Sequence, residues 1–416
     1  MGSEWVAIIA LVALFVVGTV LPINMGALAY VAAWLVGMYA LGLDEKEILT
    51  GVSGDLILTL IGVTYLFAIA RQNGTVDLIV HSAVRAVGGR VAMIPWVMFA
   101  VTGVLTAIGA VSPAACAIIG PIALGFAGRH AISPLMMGMM VVHGAQAGGF
   151  SPISIYGTIT NSVMAENGLP DSEVTIFLAS LVVNLLLAVV LFLVLGGRTL
   201  MSRRIDPADA APEDAAGGVP LAQWLTLAAF VLVAVVALAF DKNIGFAAIT
   251  AAVLLSMLAP NAYRDTVKDI AWPTVLLVAG VSTYAAILEA AGSPEFVGSW
   301  AAGLSTVVVG ALVLCYVGGV VSAFASSTAL LPVIIPIALP LIADGGISAG
   351  LFVAALAVSS TIVDVSPFST NGALMLANKP ESIGEHVYYR QILTYSVLVV
   401  LIGPLLVWAG LVLPGW

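Results

Sequence analysis

Two stretches of this chain repeat each other. Ser151-Pro152-Ile153-Ser154-Ile155-Tyr156-Gly157 returns as Ser366-Pro367-Phe368-Ser369-Thr370-Asn371-Gly372, and Gly103, Ser112 and Pro121 return as Gly318, Ser327 and Pro336. Every pair is 215 residues apart (366 − 151, 318 − 103, 327 − 112, 336 − 121). One offset held over about fifty residues marks a duplicated unit. The shared residues are Ser, Pro and Gly inside apolar sequence. Apolar helices interrupted at matching places of two halves point to the binding site of a secondary transporter.

The chain around these breaks is 61% hydrophobic and 8% charged over 416 residues, with mean hydropathy +1.15. Soluble domains carry about 25% charged residues, so the bilayer is the solvent here. The net charge of −9 says little about partners, and no basic cluster suggests nucleic acid. Cys116 and Cys315 sit in apolar runs and read as small buried hydrophobes. The first apolar run, Trp5 to Leu21, lacks a basic flank and a small-residue cleavage site, so it reads as a span and not a signal peptide.

Apolar runs predict about ten spans, near 5–21, 23–42, 55–70, 132–163 (broken), 174–196, 223–240, 244–259, 272–289, 348–377 (broken) and 391–413. Two more regions, 91–128 and 304–343, are paired apolar arms around small polar tips, Gly109-Ala110-Val111-Ser112-Pro113-Ala114 and Ala325-Ser326-Ser327-Thr328-Ala329. They read as re-entrant hairpins, which membranes tolerate only where protein or a watery cavity satisfies the backbone. The expected fold is therefore an all-α polytopic membrane protein of two inverted repeats. The expected units are scaffold helices 1–90, a transport unit 91–200, a solvated linker 201–220, scaffold helices 221–303 and a second transport unit 304–416.

Inversion follows from the loop charges. Arg71, Arg85, Arg90, Arg129, Arg198, Arg203, Arg204, Arg264 and Lys268 fall on one face if 91–128 is a hairpin, and that face is expected to be cytoplasmic. The loop 289–300, partner of 71–90, carries Glu289 and Glu295 and no base, and 165–173 carries Glu166, Asp171 and Glu173. Equivalent loops thus lie on opposite sides, and both chain ends are expected outside an inner membrane.

The chemistry is expected at the tips and breaks. Ser112 and Ser327 each begin a helical arm, and Pro113 suits a helix start. Two helix N-termini facing each other offer N–H groups and partial positive charge to an anion. One such tip reads most simply as a helix cap; two at one offset favour a site. Gly148, Gly149, Ser151 and Ser154 in the first break, and Asp364, Ser366, Ser369, Thr370 and Asn371 in the second, offer backbone and side-chain oxygen to a cation. Thr328 and Gln146 complete the candidates. Substrate is assigned to Ser112, Pro113, Gln146, Ser151, Ser154, Ser327, Thr328, Ser366, Ser369, Thr370 and Asn371. Na⁺ is assigned to Ser112, Gly148, Gly149, Ser327 and Asp364, with Asp364 open to a proton instead or to a purely structural role. His143 reads as a satisfied core histidine, and Asn184 as a bond between helices.

At Thr64-Tyr65-Leu66-Phe67-Ala68-Ile69-Ala70, at Gly88-Gly89-Arg90-Val91-Ala92-Met93-Ile94-Pro95-Trp96, and at His143-Gly144-Ala145-Gln146-Ala147-Gly148-Gly149-Phe150-Ser151-Pro152-Ile153-Ser154, the chain resembles the MatC-type malonate carriers. They belong to the ion-transporter superfamily that includes the divalent-anion:sodium symporters. The resemblance implies an elevator-type homodimer, hairpins and broken spans moving against a scaffold. It implies malonate or another small dicarboxylate as substrate and Na⁺ as coupling ion, with no resident cofactor. The symporters' tips carry Ser-Asn-Thr, and here Pro113 and Thr328 replace the asparagine. An antiporter or inorganic-anion exporter, a channel, and an intramembrane hydrolase pairing Ser112 with His143 are the other readings; no hydrolase motif accompanies the last.

Overall fold

The computed structural model describes the whole chain except Met1, Pro22, 86–89, 205–219, Asp241, 303–305, 324–326, 344–345 and Trp416. The linker from 205, Gly88 and Gly89, and Ala325 and Ser326 of the second tip therefore lie outside the described residues.

The described chain is helical, and its helices come in pairs. α1 (Ser3–Val20) matches α12 (Leu221–Phe240), α2 (Met25–Ala40) matches α13 (Ile244–Leu258), and α4 (Gly54–Gln72) matches α14 (Trp272–Ala290). α5 (Thr75–Arg85) matches α15 (Ser293–Ala302), α6 (Ile94–Ala107) matches α16 (Val307–Ser322), and α7 (Ser112–Arg129) matches α17 (Ser327–Ala343). α8 (Pro134–Gly148) matches α18 (Ala349–Ile362), α9 (Ile155–Glu166) matches α19 (Thr370–Ala377), and α10 (Glu173–Val194) matches α20 (Glu385–Leu411). The short α3 (Glu45–Leu49) and α11 (Gly197–Leu200) are matched by 3₁₀ turns, Thr266–Asp269 before α14 and Leu413–Gly415 after α20.

From α7 to α9 the helix starts keep the 215 offset (327 − 112, 349 − 134, 370 − 155), and α20 starts 212 residues after α10 (385 − 173). The earlier helices follow a different register. Asn24 caps α2 by accepting from the Gly26 amide at 2.9 Å, and Asn243 caps α13 from the Phe246 amide at 3.0 Å, 219 residues apart (243 − 24). The duplication therefore spans both halves, with a shift of a few residues ahead of each hairpin. α5 and α15 correct the expectation of plain loops at 71–90 and 289–300: short amphipathic helices are invisible to a search for span-length apolar runs.

The equivalent helices α4 and α14 run antiparallel. Arg71, at the end of α4, pairs with Asp269, just before α14, at 3.3 Å. Gly51, just before α4, lies against Thr283 and Ala286 near the end of α14. Two crossings lock this scaffold. Gly26 of α2 meets Gly280 of α14 backbone to backbone, and Gly245 of α13 meets Thr59 and Gly62 of α4 in the same way. Small residues at such crossings let backbones approach where no hydrophobic force drives helices together. Some of the base-carrying loops meet: Arg203 donates to the Ala131 carbonyl at 3.4 Å, and Arg90 bridges Arg204.

At the centre lie α8 and α18, buried along nearly their whole length. At the periphery, α10 exposes Val174, Leu178, Val182, Leu186, Val190 and Val194, one apolar stripe at every fourth residue. Five described helices, α4, α7, α10, α14 and α20, are long and apolar enough to cross a membrane, and eight shorter apolar helices accompany them. Arms of 14 and 16 residues, α6 and α16, rise about 21–24 Å at 1.5 Å per residue. That falls short of the roughly 30 Å hydrocarbon core, whereas α7, the second arm of the first hairpin, has 18 residues.

The glycine crossings set a stability test. Gly280→Leu and Gly62→Leu are expected to cost about 3 kcal/mol each, because the backbone opposite cannot move aside. Gly410→Ala, whose added methyl meets nothing within 4 Å, is expected to be neutral or stabilising by up to about 1 kcal/mol. Thermal unfolding of the detergent-solubilised protein checks this; equal midpoints for all three variants would remove the crossings from the account.

Candidate functional site

The two breaks are built alike. After α8, Ser154 caps α9 by accepting from the Gly157 amide at 3.4 Å while donating to the Ser151 carbonyl at 2.6 Å. After α18, Ser369 caps α19 by accepting from the Gly372 amide at 3.3 Å while donating to the Ser366 carbonyl at 2.7 Å. The following glycine is obligatory each time: a Cβ at Gly157 would strike the Ser151 carbonyl, and at Gly372 the Ser366 carbonyl. Each span can thus stop and restart in the interior, because the freed backbone groups are satisfied locally.

Side chains from both halves converge on one buried cluster. Asp364, 6% exposed, lies before α19 and accepts from Asn371 Nδ2 at 2.9 Å. The same Nδ2 reaches Ser112 Oγ at 2.8 Å, so the tip of hairpin α6/α7 is tied to the break of the other half. The Ser369 hydroxyl and the Asn371 amide also face the carboxylate, which places it at the positive end of α19. The Tyr156 hydroxyl faces Ser112 and Thr328, and the Cys116 thiol lies beside Ser112, one turn into α7. Asn371 Oδ1 is buried and has no hydrogen-bond partner. Among the described residues no basic side chain joins the cluster, and both ion pairs lie at the surface, at the end of α4 and in the turn before α14.

The remaining candidates divide. Ser366 accepts from the Phe368 amide at 3.1 Å and shapes its own break, and Pro113 occupies the first turn of α7. The Gly148 and Gly149 carbonyls are spent inside the first break, on the Ser151 amide and on Ser154 Oγ, and the Gly149 backbone packs on the Tyr156 ring. Ser151 is buried there as well, whereas Thr370 is exposed. Ser327 does not turn toward Asp364. Its hydroxyl meets Ser322 Oγ at 2.8 Å and the Ser360 carbonyl at 3.1 Å, within its own half. Gln146 is fully buried near His143, with neither carboxamide atom bonded.

His143 joins three helices: Nδ1 meets Asn184 Oδ1 at 2.8 Å and Nε2 meets the Tyr395 hydroxyl at 2.6 Å. Both ring nitrogens are engaged and Ser112 is bonded elsewhere, so no Ser–His pair exists for hydrolysis. Tyr156 is the site residue that inspection of the sequence passed over. Its signal was present: at the 215 offset it is the counterpart of Asn371 (371 − 156).

Comparison with known proteins agrees with this geometry. Residues 1–149 match the family model described as dicarboxylate carrier protein MatC N-terminus, and residues 235–415 match the one described as citrate transporter. The chain is a membrane carboxylate transporter, not an enzyme. The transporter also shares its fold with the crystal structure of the YdaH transporter of Alcanivorax borkumensis, reported to have an unusual topology. TM-score is 0.59 and identity 13%, over 89% of this chain and 87% of that one. No curated protein matches the transporter by sequence.

The two tip serines are therefore expected to behave differently. Ser112→Ala should weaken apparent substrate affinity by about 1.5–3 kcal/mol, the value of a hydrogen bond to a charged group. Ser327→Ala should instead lower stability by about 1 kcal/mol and leave KM nearly unchanged. Transport kinetics alongside thermal unfolding separate these outcomes; an equal rise in KM for both would return Ser327 to the site.

Proposed function

We infer that the transporter imports a small dicarboxylate, malonate first, together with Na⁺. The observation that carries this reading is the unpartnered Asn371 Oδ1 beside a buried carboxylate that has no basic neighbour. An isolated charge in the membrane interior is costly. Asp364, the Asn371 oxygen and the hydroxyls of Ser112, Tyr156 and Thr328 form an all-oxygen set, which suits a hard cation. A dianion brings two more negative charges to the same place, so it enters with at least two cations. The positive ends of α7 and α17 then serve the substrate carboxylates. A proton on Asp364 would neutralise it as well, and proton-coupled exchange is the second reading.

The moving unit is 91–165 with 304–377, sliding against a scaffold that includes 23–42 and 244–259 at a homodimer interface. Support comes from one asymmetry between the halves. On α17, Ala329 and Val333 are 0% and 3% exposed, packed into a cluster with Ala7, Tyr284 and Leu288 of the scaffold. Their counterparts Ala114 and Ile118 on α7 are half-buried, and Ala117 and Pro121 beside them are exposed. One hairpin is docked and the other is not, as one end state of an inverted-repeat exchange requires. The base-rich loops joined by Arg71–Asp269 and Arg203–Ala131 are assigned to the cytoplasm, which puts both chain ends outside the inner membrane.

Uptake of labelled malonate, succinate and citrate into proteoliposomes tests the first part. Malonate should accumulate only with an inward Na⁺ gradient, and Asp364→Asn should shift the Na⁺ dependence more than the malonate affinity at saturating Na⁺. Accumulation driven by a pH gradient alone replaces Na⁺ with H⁺, and uptake that never exceeds equilibrium points to a channel. For the motion, a cysteine pair at Leu288 and Val333, made without Cys116 and Cys315, should cross-link, stop transport and leave malonate binding intact. Undiminished uptake after cross-linking replaces the elevator with local gating at the tips.

A further inference from the structure

At the end of α4 opposite Arg71, crossed hydrogen bonds fasten the scaffold to α9, a helix assigned above to the moving unit. Ser53, just before α4, donates to Glu166 Oε1, on the last residue of α9, at 2.8 Å. Ser162 of α9 donates in turn to Asp55 Oδ2, in the first turn of α4, at 3.4 Å. Each helix thus gives one hydroxyl and one carboxylate. Ser162 and Glu166 are four residues apart and share one face of α9. Asn243, the cap of α13, also donates to Asp55, so two scaffold helices hold one moving helix. Both ion pairs among the described residues lie elsewhere, so neither carboxylate has a basic partner.

Both serines forgo a local partner to make these bonds. A serine at an N-cap ordinarily accepts from an amide of the first turn, yet Ser53 occupies the N-cap of α4 and makes no such bond. A hydroxyl inside a helix commonly donates to the carbonyl four residues back, as Thr250, Ser256 and Ser282 do. Ser162 donates across to Asp55 instead. The second half of the chain has no equivalent. Gly62 and Gly280 set the register of α4 and α14 at 218 (280 − 62), which turns Ser53 and Asp55 into Ala271 and Pro273 (271 − 53, 273 − 55). At 215, Ser162 becomes Ala377 (377 − 162). Only the bond inside the scaffold is repeated: Asn24 donates to the Pro273 carbonyl at 3.0 Å, as its counterpart Asn243 donates to Asp55.

We propose that Ser53, Asp55, Ser162 and Glu166 form a one-sided latch, which weights the transporter toward the conformation with α17 docked on the scaffold. The proposal rests on the elevator reading. Exchanging the conformations of the two halves takes α9 away from the start of α4 and brings α19 to the start of α14. There Ala271, Pro273 and Ala377 offer no side-chain donor or acceptor, so the crossed bonds have no replacement in the other end state. Asp55 and Glu166 are exposed, and water takes up their lone pairs when the latch opens. The bias is therefore modest: it shifts the balance of the two states without locking either.

The test reads the undocked population through a single cysteine, Val333→Cys, in full-length protein without Cys116 and Cys315, reconstituted in liposomes without substrate. Val333 is 3% exposed in the docked state, so its labelling by a thiol reagent follows the undocked fraction. Ser53→Ala combined with Ser162→Ala should raise the labelling rate about three- to tenfold, as expected for two exposed hydrogen bonds. Ser53→Thr with Ser162→Thr, which keeps both hydroxyls, should restore the original rate. An unchanged rate in the double alanine variant overturns the latch. So does an equal acceleration at Ile335→Cys, a position on the same helix buried in the main core, because that would be general loosening of the fold. Cysteines placed at Ser53 and Glu166 separate this proposal from the reading beneath it. If their disulfide forms and leaves uptake undiminished, α9 never leaves α4 and the elevator reading fails. If it stops uptake while the double alanine variant labels at the original rate, the motion stands and the latch falls.

Discussion

Asp364 is a carboxylate at the centre of a membrane protein with no basic side chain in its cluster. Taking such a charge out of water costs several kcal/mol even after the protein relaxes, and the hydrocarbon offers no water to share the load. Much of the interior answers that demand. Helix α18 stops short so that α19 can restart with its amides toward the carboxylate. Asn371 spends its one amino group on Asp364 and Ser112 together, which pulls hairpin α6/α7 across to the other half. Two oxygen-rich segments are thereby fixed against each other with one acceptor, Asn371 Oδ1, left over. A cluster that is satisfied except for an acceptor and a negative charge is short of a cation. In the Na⁺-coupled reading, substrate anion and coupling cation are parts of one electrostatic balance, because neither is well accommodated alone.

The fold around this centre was legible in the sequence wherever apolar runs were long or punctuated by Ser, Pro and Gly. The starts of α7, α8 and α9 and of their counterparts are marked by those residues, which cap and interrupt helices for local steric reasons. The scaffold pairing was not legible at the same offset, because the register changes from 219 to 215 ahead of each hairpin. Its remaining trace is the short Asn-x-Gly at 24–26 and 243–245, where the cap and the crossing glycine survive together. α5 and α15 escaped notice because ten or eleven residues with polar positions resemble loops in a search tuned to spans.

Site legibility was limited in another way. Repeat symmetry gives Ser112 and Ser327 the same address, yet the environments differ: Asn371 waits opposite the first, Ser322 and the Ser360 carbonyl opposite the second. A duplicated sequence specifies where a hydroxyl stands on its helix. Its partner belongs to another helix, which the repeat by itself does not specify. Tyr156 shows the converse, since its phenol and the Asn371 carboxamide stand at one repeat position and both turn to Ser112. Two copies of one position have diverged into different hydrogen-bonding groups serving one cluster.

That divergence contrasts with the hairpin faces. The outward face of α7 is Ala114, Ala117, Ile118 and Pro121, and the corresponding docked face of α17 is Ala329, Pro332, Val333 and Pro336. Position by position these are side chains of similar, modest apolar size. Docking either face on the scaffold therefore buries similar apolar area, at about 25 cal/mol per Å², and undocking the other exposes nearly as much. In the elevator reading the hydrophobic terms of the two end states then nearly cancel. Residual differences of a few kcal/mol are within what a ligand with differential affinity can shift. Ligand charge at Asp364 can decide between the states for that reason. Had α7 carried Leu and Phe where it carries Ala and Pro, the open face would cost far more in one state than the other, and the protein would rest in a single conformation whatever it had bound.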